Sequence, residues 1–213
     1  MAAYDLEEQE QLAELKLWWK RYGNLVIMAL SMVMLLFAAW TGWKLWQHNQ
    51  AQHASAAFSD LRKSARENDA KKASEIAGSI LEQYPRTTYA PLSALVSAKV
   101  NFESGDLKTA KAQLQWVIGN ARDSELQDIA KLRLSGLLLD EKSYDEAIRL
   151  LDTKPSPQFD SLFAGARGDV LLAQGKVADA RAAFKAALEK TPAKQVAARE
   201  LLQLKIDATG ATQ

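Results

Sequence analysis

The chain has 213 residues, a formal net charge of +1 and 25% charged side chains. Near-neutrality leaves no basic surplus for holding nucleic acid through its phosphates, and the absence of cysteine excludes a disulfide framework and thiolate chemistry. Histidine occurs only at His48 and His53, so most of the chain has neither a histidine metal cluster nor a histidine base, and no cofactor is expected.

Residues 1–21 are short but patterned. Asp5 with Glu8 three residues later resembles a capping box and predicts a helix start there. Leu12, Leu15 and Trp19 then share a helix face. The acidic front from Glu7 to Glu14 is read as a solvated helix leading into a bilayer, with contact to a basic partner surface as the alternative.

Residues 22–43 carry no charge: between Arg21 and Lys44 lie 22 residues, Tyr22 to Trp43. As an α-helix this run spans roughly 33 Å, against about 30 Å for a hydrocarbon core. Val26, Ile27, Met28, Leu30, Val33, Leu35, Leu36 and Phe37 surround the helix, where an amphipathic soluble helix would show a polar stripe. Trp18, Trp19 and Tyr22 stand at one end and Trp40, Trp43 and Trp46 at the other, the positions that aromatic rings take at two water–lipid boundaries. A single transmembrane helix in a lipid bilayer is expected. An uncleaved anchor is favoured over a cleaved signal peptide, because many acidic residues precede the run and Trp40-Thr41-Gly42-Trp43 follow it. Lys16, Lys20 and Arg21 lie before the run and only Lys44 lies close behind, so the N-terminus is expected in the cytoplasm and the bulk of the chain outside it. Ala38 and Gly42, four apart, could let another helix approach closely; lipid contact is the default.

Residues 44–67 read as a juxtamembrane helix. The stretch Gln47–Glu67 lacks Gly and Pro and is expected to run on into the first repeat, with Phe58 and Leu61 packing inward. His48 and His53, just outside the membrane, are read as solvated.

Residues 68–213 hold a hidden repeat. Four segments align: Asn68-Asp69-Ala70-Lys71-Lys72-Ala73, Gly105-Asp106-Leu107-Lys108-Thr109-Ala110, Lys142-Ser143-Tyr144-Asp145-Glu146-Ala147 and Gly175-Lys176-Val177-Ala178-Asp179-Ala180. Their last alanines are 37, 37 and 33 residues apart. Each segment lies between two stretches of helical apolar spacing, which defines a helical hairpin. In three segments Asn or Gly at the first place can take the left-handed conformation that ends a helix. The shared alanine allows a close helix crossing, and Ala70, Leu107, Tyr144 and Val177 are expected to plug the turns. Lone hairpins cannot bury their apolar faces, so neighbours must stack.

This pattern resembles the tetratricopeptide repeat. The last unit fits best, with Gly168 at the small helix-crossing place, then Leu171, Ala180, Phe184, Ala187 and Pro192. The third has Leu134, Ser135, Leu138, Tyr144, Ala147 and Leu151; the second Ala98, Ala110, Leu114 and Val117; the first Ala73, Ile80 and Pro85. Spacings of 37 predict extended links at Arg86–Ala90 and Asn120–Ser124. Pro155 and Pro157 predict a short second helix in the third unit. Thr191-Pro192 reads as the start of a capping helix, with Val196, Ala197, Leu201 and Leu204 on its inner face and a polar outer side. The fold class is all-α; a generic Ala-rich bundle is the alternative to the repeat array.

The repeat pattern assigns Lys99, Phe102, Glu103 and Asp169 to a protein-binding face; ordinary solvation or core packing accounts for each of them equally. No G-x-S-x-G, phosphate loop, H-E-x-x-H or dinucleotide fingerprint is present. Asp140 and Glu141 are adjacent and so diverge on a helix. Binding is therefore expected rather than catalysis.

The order of features is specific. Tyr4-Asp5-Leu6-Glu7-Glu8-Gln9-Glu10-Gln11-Leu12 leads to Trp18-Trp19-Lys20-Arg21-Tyr22-Gly23-Asn24, then to one anchor, degenerate repeats and Leu202-Gln203-Leu204-Lys205-Ile206. Over nearly its full length the chain resembles the YfgM family of ancillary subunits of the bacterial SecYEG translocon. The resemblance implies inner-membrane residence, a periplasmic tetratricopeptide-like domain and association with SecYEG and the membrane-anchored chaperone PpiD. The implied role is to help translocating polypeptides pass to periplasmic chaperones. An assembly factor for another cell-envelope machine is the alternative.

Overall fold

The computed structural model describes residues 2–210, with side chains described from Leu12 onward. Helix α1 runs from Ala2 to Arg66, followed by α2 (Ala70–Gln83), α3 (Tyr89–Glu103), α4 (Leu107–Asn120), α5 (Ser124–Asp140), α6 (Tyr144–Leu151), a 3-10 turn (Pro157–Phe159), α7 (Asp160–Ala173), α8 (Val177–Lys190) and α9 (Val196–Ala208). No strand occurs among the described residues, so the fold is all-α. Helix α1 begins before Asp5, which is therefore not its N-cap; Ala2 and Ala3 favour helix and extend it upstream. The chain divides into one unit up to Gln50 and a second from Ala51.

The first unit is α1 as far as Gln50. It is the one described helix long and apolar enough to cross a membrane, and none of its apolar window is buried. Along it, aromatic rings meet in tilted pairs at helical spacing: the Trp18 and Tyr22 centroids lie 5.8 Å apart, Phe37 and Trp40 6.1 Å, and Trp43 and Trp46 5.3 Å. The Lys44 ammonium sits 4.0 Å from the Trp40 ring centroid, a cation–π contact that helps a charge adjoin an apolar run.

The second unit is a stack of helical hairpins, and its first helix is the stretch of α1 from Ala51 to Arg66. At the four aligned segments the chain turns in the same way. Asn68, Gly105, Lys142 and Gly175 all have positive φ, at 56°, 86°, 61° and 75°. The next residue donates its N–H to the carbonyl five positions back: Asp69 to Ser64 (3.1 Å), Asp106 to Asn101 (2.8 Å), Ser143 to Leu138 (2.8 Å) and Lys176 to Leu171 (3.0 Å). These are four Schellman motifs, which satisfy helix-end carbonyls as the chain reverses. Lys142 takes the left-handed place despite its Cβ, a conformation that residue type alone did not reveal.

The same residue stands at the N-cap of the next helix, and at two of the four turns its side chain closes the cap, whereas Ser143 and Lys176 make no such bond. The Asp69 carboxylate accepts from the Lys72 N–H and that of Asp106 from the Thr109 N–H, each at 3.0 Å. Thr109, through its side chain and then its backbone, holds the Asp106 carboxyl below its usual pKa. The stabilisation from this lowered value is present at neutral pH and fades as pH falls through the folded-state pKa. Four residues past each cap, Ala73, Ala110, Ala147 and Ala180 are wholly buried. The plug before each alanine varies: Ala70, Leu107 and Tyr144 are half-buried, whereas Val177 remains exposed.

Three apolar clusters run along the stack. Leu61, Ala73, Ala77 and Ile80 form the first, with Phe58 against them. Leu114, Val117, Leu134, Leu138, Leu151 and Phe163 belong to the second, and Leu171, Ala180, Phe184, Ala187, Leu202 and Ile206 form the third. Each fully buried Leu, Ile or Phe contributes about 1.5–3 kcal/mol of transfer free energy. A Cβ added at Gly168 would lie 2.4 Å from the buried Phe184 ring, so this glycine sets the α7–α8 crossing distance.

The two spacings of 37 have different origins. Before α3 the link, residues 84–88, is extended as expected. Between Asn120 and Ser124 the link is short, and the additional residues lie in α5, which has 17 residues against 14 in α7. Helix α6 has only eight residues, as the two prolines require. Thr191-Pro192 does not open α9, which starts at Val196. The Thr191 hydroxyl instead donates to the Ala187 carbonyl at 2.7 Å, and Arg199 donates to the Leu188 and Thr191 carbonyls at 2.9 and 2.8 Å, closing the end of α8. The inner face of α9 is Leu202 and Ile206, while Val196, Ala197, Leu201 and Leu204 face outward.

Two substitutions test this geometry. Lys142→Gly removes the Cβ from a left-handed residue and should raise stability by about 0.5–1 kcal/mol in urea unfolding followed by circular dichroism. Gly168→Ala should lower it by about 1–3 kcal/mol in the same measurement, because overpacking against Phe184 outweighs the gain in helix propensity.

Candidate protein-binding surface

The first helices of successive hairpins, α3, α5 and α7, contact one another and line one side of the stack. On α3 the alternation of Val100 and Asn101 (buried) with Lys99, Phe102 and Glu103 (exposed) settles what this helix offers. Lys99 and Glu103 form an i,i+4 ion pair at 3.6 Å, with side chains 65% and 50% exposed, so it adds little stability. Phe102 is 47% exposed beside them. Behind this trio the Asn101 amide is anchored, donating to the Ser74 hydroxyl at 2.7 Å and the Ser97 carbonyl at 2.8 Å. That buried network joins α2 to α3 and fixes the direction in which Lys99 and Phe102 emerge.

Asp169 occupies a different place. Both its oxygens accept from the Lys205 ammonium, at 2.6 and 2.8 Å, which fastens α9 to α7. It borders a groove of about 520 Å³ whose apolar lining includes Leu132, Leu162, Ala166 and Leu201. Gln158 and Gln195 at the rim are uncharged hydrogen-bonding groups. The repeat pattern thus marked two separate regions, an open trio on α3 and a clasped carboxylate at the α7–α9 groove.

The short α6 creates a second depression. Its counterparts α2, α4 and α8 each have 14 residues, so about 9 Å of helix is missing at this place in the array. The result is a groove of about 710 Å³ across α7 and α8, lined by Ala182, Ala183 and Ala186 together with the buried Leu151, Phe163 and Leu171. Arg167 pairs with Asp152, and Lys190 with Asp160, at its edge. The loop that replaces the missing turns is held by Asp128, a buried carboxylate that accepts the Ser156 N–H at 2.8 Å and pairs with Lys131 at 3.7 Å. Sequence patterning gave no sign of Asp128, since an aspartate in the first half of an amphipathic helix reads as solvated.

Chemically, these surfaces are suited to binding. Among the described residues no group of His, Cys, Asp and Glu could hold a metal ion. His48 and His53 are exposed. Asp140 and Glu141 do not converge on a cleft; Glu141 pairs with Lys111 at 3.3 Å across hairpins. The packing residues Ala73, Ala110, Ala147, Ala180 and Phe184 are all wholly buried, and Tyr144 is half-buried. Trp18, Trp19, Tyr22, Trp40, Trp43 and Trp46 are all exposed along α1.

Stacked hairpins with a shared alanine at each crossing define a helical-repeat protein, and residues 16–211 match the family model described as a tetratricopeptide repeat-like domain. A Neisseria gonorrhoeae protein named ancillary SecYEG translocon subunit is 34% identical over 98% of this chain and 99% of its own length. Proteins of the same name from Haemophilus influenzae and Escherichia coli are 30% and 28% identical, over 87% and 94% of this chain and 90% and 95% of theirs. No solved structure matches. The chain belongs to this family of ancillary SecYEG translocon subunits, the YfgM family, and carries its tetratricopeptide repeat-like domain.

Replacing Asp128 with Ala should cost about 1–3 kcal/mol, because the Ser156 N–H loses its partner beside a buried site. Faster amide exchange at Ser156, compared with the unsubstituted chain, is the expected signature.

Proposed function

We propose that the chain is an inner-membrane-anchored protein-binding scaffold that associates with the SecYEG translocon and with a PpiD-like membrane-anchored chaperone, and helps hand translocated polypeptides onward. The observation that carries this reading is the end-to-end similarity to proteins named ancillary SecYEG translocon subunits, covering anchor and repeat domain alike. Three further features support it. The α1 stretch between Tyr22 and Trp43 is uncharged, exposed apart from Gly23, and flanked by tryptophan. The basic residues Lys16, Lys20 and Arg21 lie on one side of it, which favours a cytoplasmic N-terminus and a periplasmic repeat domain. The repeat domain offers open binding surfaces, including the α3 trio of Lys99, Phe102 and Glu103.

The test is the composition of complexes after mild detergent extraction, combined with photo-crosslinking in cells from Phe102 and from Trp40. Recovery of translocon subunits and a membrane-anchored chaperone is expected; recovery of a different envelope machine alone would overturn the reading. Protease added to spheroplasts should digest the repeat domain and spare the residues before Tyr22. The reverse pattern would invert the topology and remove the basis for a periplasmic role.

A further inference from the structure

Helix α9 is the last described helix of the stack, and an end helix of stacked repeats ordinarily presents a polar outer side. This one does not. With Leu202 and Ile206 packed inward, Ala197, Leu201, Leu204 and Ala208 follow one another along an outer face in steps of four, three and four residues. Leu201 is 55% and Leu204 66% exposed. Two apolar leucines in the middle with an alanine at either end make a short heptad seam, the arrangement by which one helix packs along another. An apolar strip of this kind on a folded domain marks a contact surface.

The charges beside the seam point to what covers it. Glu200 precedes Leu201 and Lys205 follows Leu204, so they flank the seam on opposite sides, five residues apart. That is the separation at which the flanking charges of two parallel helices meet, Glu200 of one against Lys205 of the other. In an antiparallel pair Glu200 would lie on the same side as the other copy's Glu200, and Lys205 as its Lys205, so like charges would adjoin. Lys205 is oriented by Asp169 at 2.6 and 2.8 Å, and an ammonium keeps a third N–H to donate. We propose that the outer seam of α9 pairs in parallel with α9 of a second copy of the chain, Ala197, Leu201, Leu204 and Ala208 meeting their own counterparts. The exposed charge pairs set orientation more than strength. The seam is only about three turns long, so the pairing is weak in isolation. Anchoring of both copies in one bilayer, the part that rests on the proposed function, raises their effective concentration.

The chain's lack of cysteine permits a direct test on the full-length protein in its own membrane. Ala197→Cys and Ala208→Cys, made separately, each place one thiol at an end of the seam. In a parallel pair each thiol faces its own counterpart, close enough for a disulfide. Mild oxidation is expected to give, for each variant, a product of about twice the 23.5 kDa chain mass. Lys185→Cys, exposed on α8, should give none. Adding Leu204→Glu, at a seam position that is 66% exposed and lies outside the α7–α9 groove, should lower the yield by about fivefold or more. Four outcomes would each overturn the proposal: no homodimer from either variant, a disulfide only in mixtures of the two variants (antiparallel pairing), a disulfide to a different protein, or indifference to Leu204→Glu. Translocon recovery from the same membranes is scored separately, so either result can fail without the other.

Discussion

Everything in the repeat domain depends on one local event repeated four times: a helix ends in a left-handed residue, its last carbonyls are satisfied, and a buried alanine stands at the next crossing. Asn68, Gly105, Lys142 and Gly175 do the first. Ala73, Ala110, Ala147 and Ala180 do the last. A helix end buried without such hydrogen bonds would leave orphan carbonyls, and a larger side chain at the crossing would force the helices apart. The stack follows from these two conditions, because each hairpin thereby presents an apolar side that only a neighbour can cover.

Much of this was legible in the chain. The αL–cap–x–x–x–Ala grammar could be read by alignment, since its chemistry is local and residue-specific. The anchor could be read for the same reason: absence of charge and paired aromatics are properties of the residues themselves. What escaped depended on partners distant in sequence. Arg199 closes α8 from α9, and Asp128 holds a loop that begins more than twenty residues later. Helix α9 was assigned the wrong inner face because apolar residues cover more than half its circumference. Leu201 and Leu204 compete with Leu202 and Ile206 for the core, and only the docking of Leu202 near Gly165 decides between them. Lys142 escaped because nothing about lysine announces a left-handed backbone.

The candidate surface was legible only in part. Lys99, Phe102 and Glu103 do emerge together from α3, since helical spacing fixes what shares a face. Asp169 is engaged elsewhere, because Lys205, carried by the helix after the last hairpin, reaches back to it. A repeat register describes what each unit contributes; it is silent about what the terminal helix adds.

The shortness of α6 has a mechanical consequence. In a linear array, load passes from one unit to the next through the faces they share, and at this joint the shared face is missing nearly two turns. Asp128 and the Arg167–Asp152 pair add polar links across the gap, beside the apolar contact of Leu151 with Phe163. Polar links are short-ranged and break at small extension. The joint between α6 and α7, three hairpins along the array, is therefore the one with the least helix to carry load.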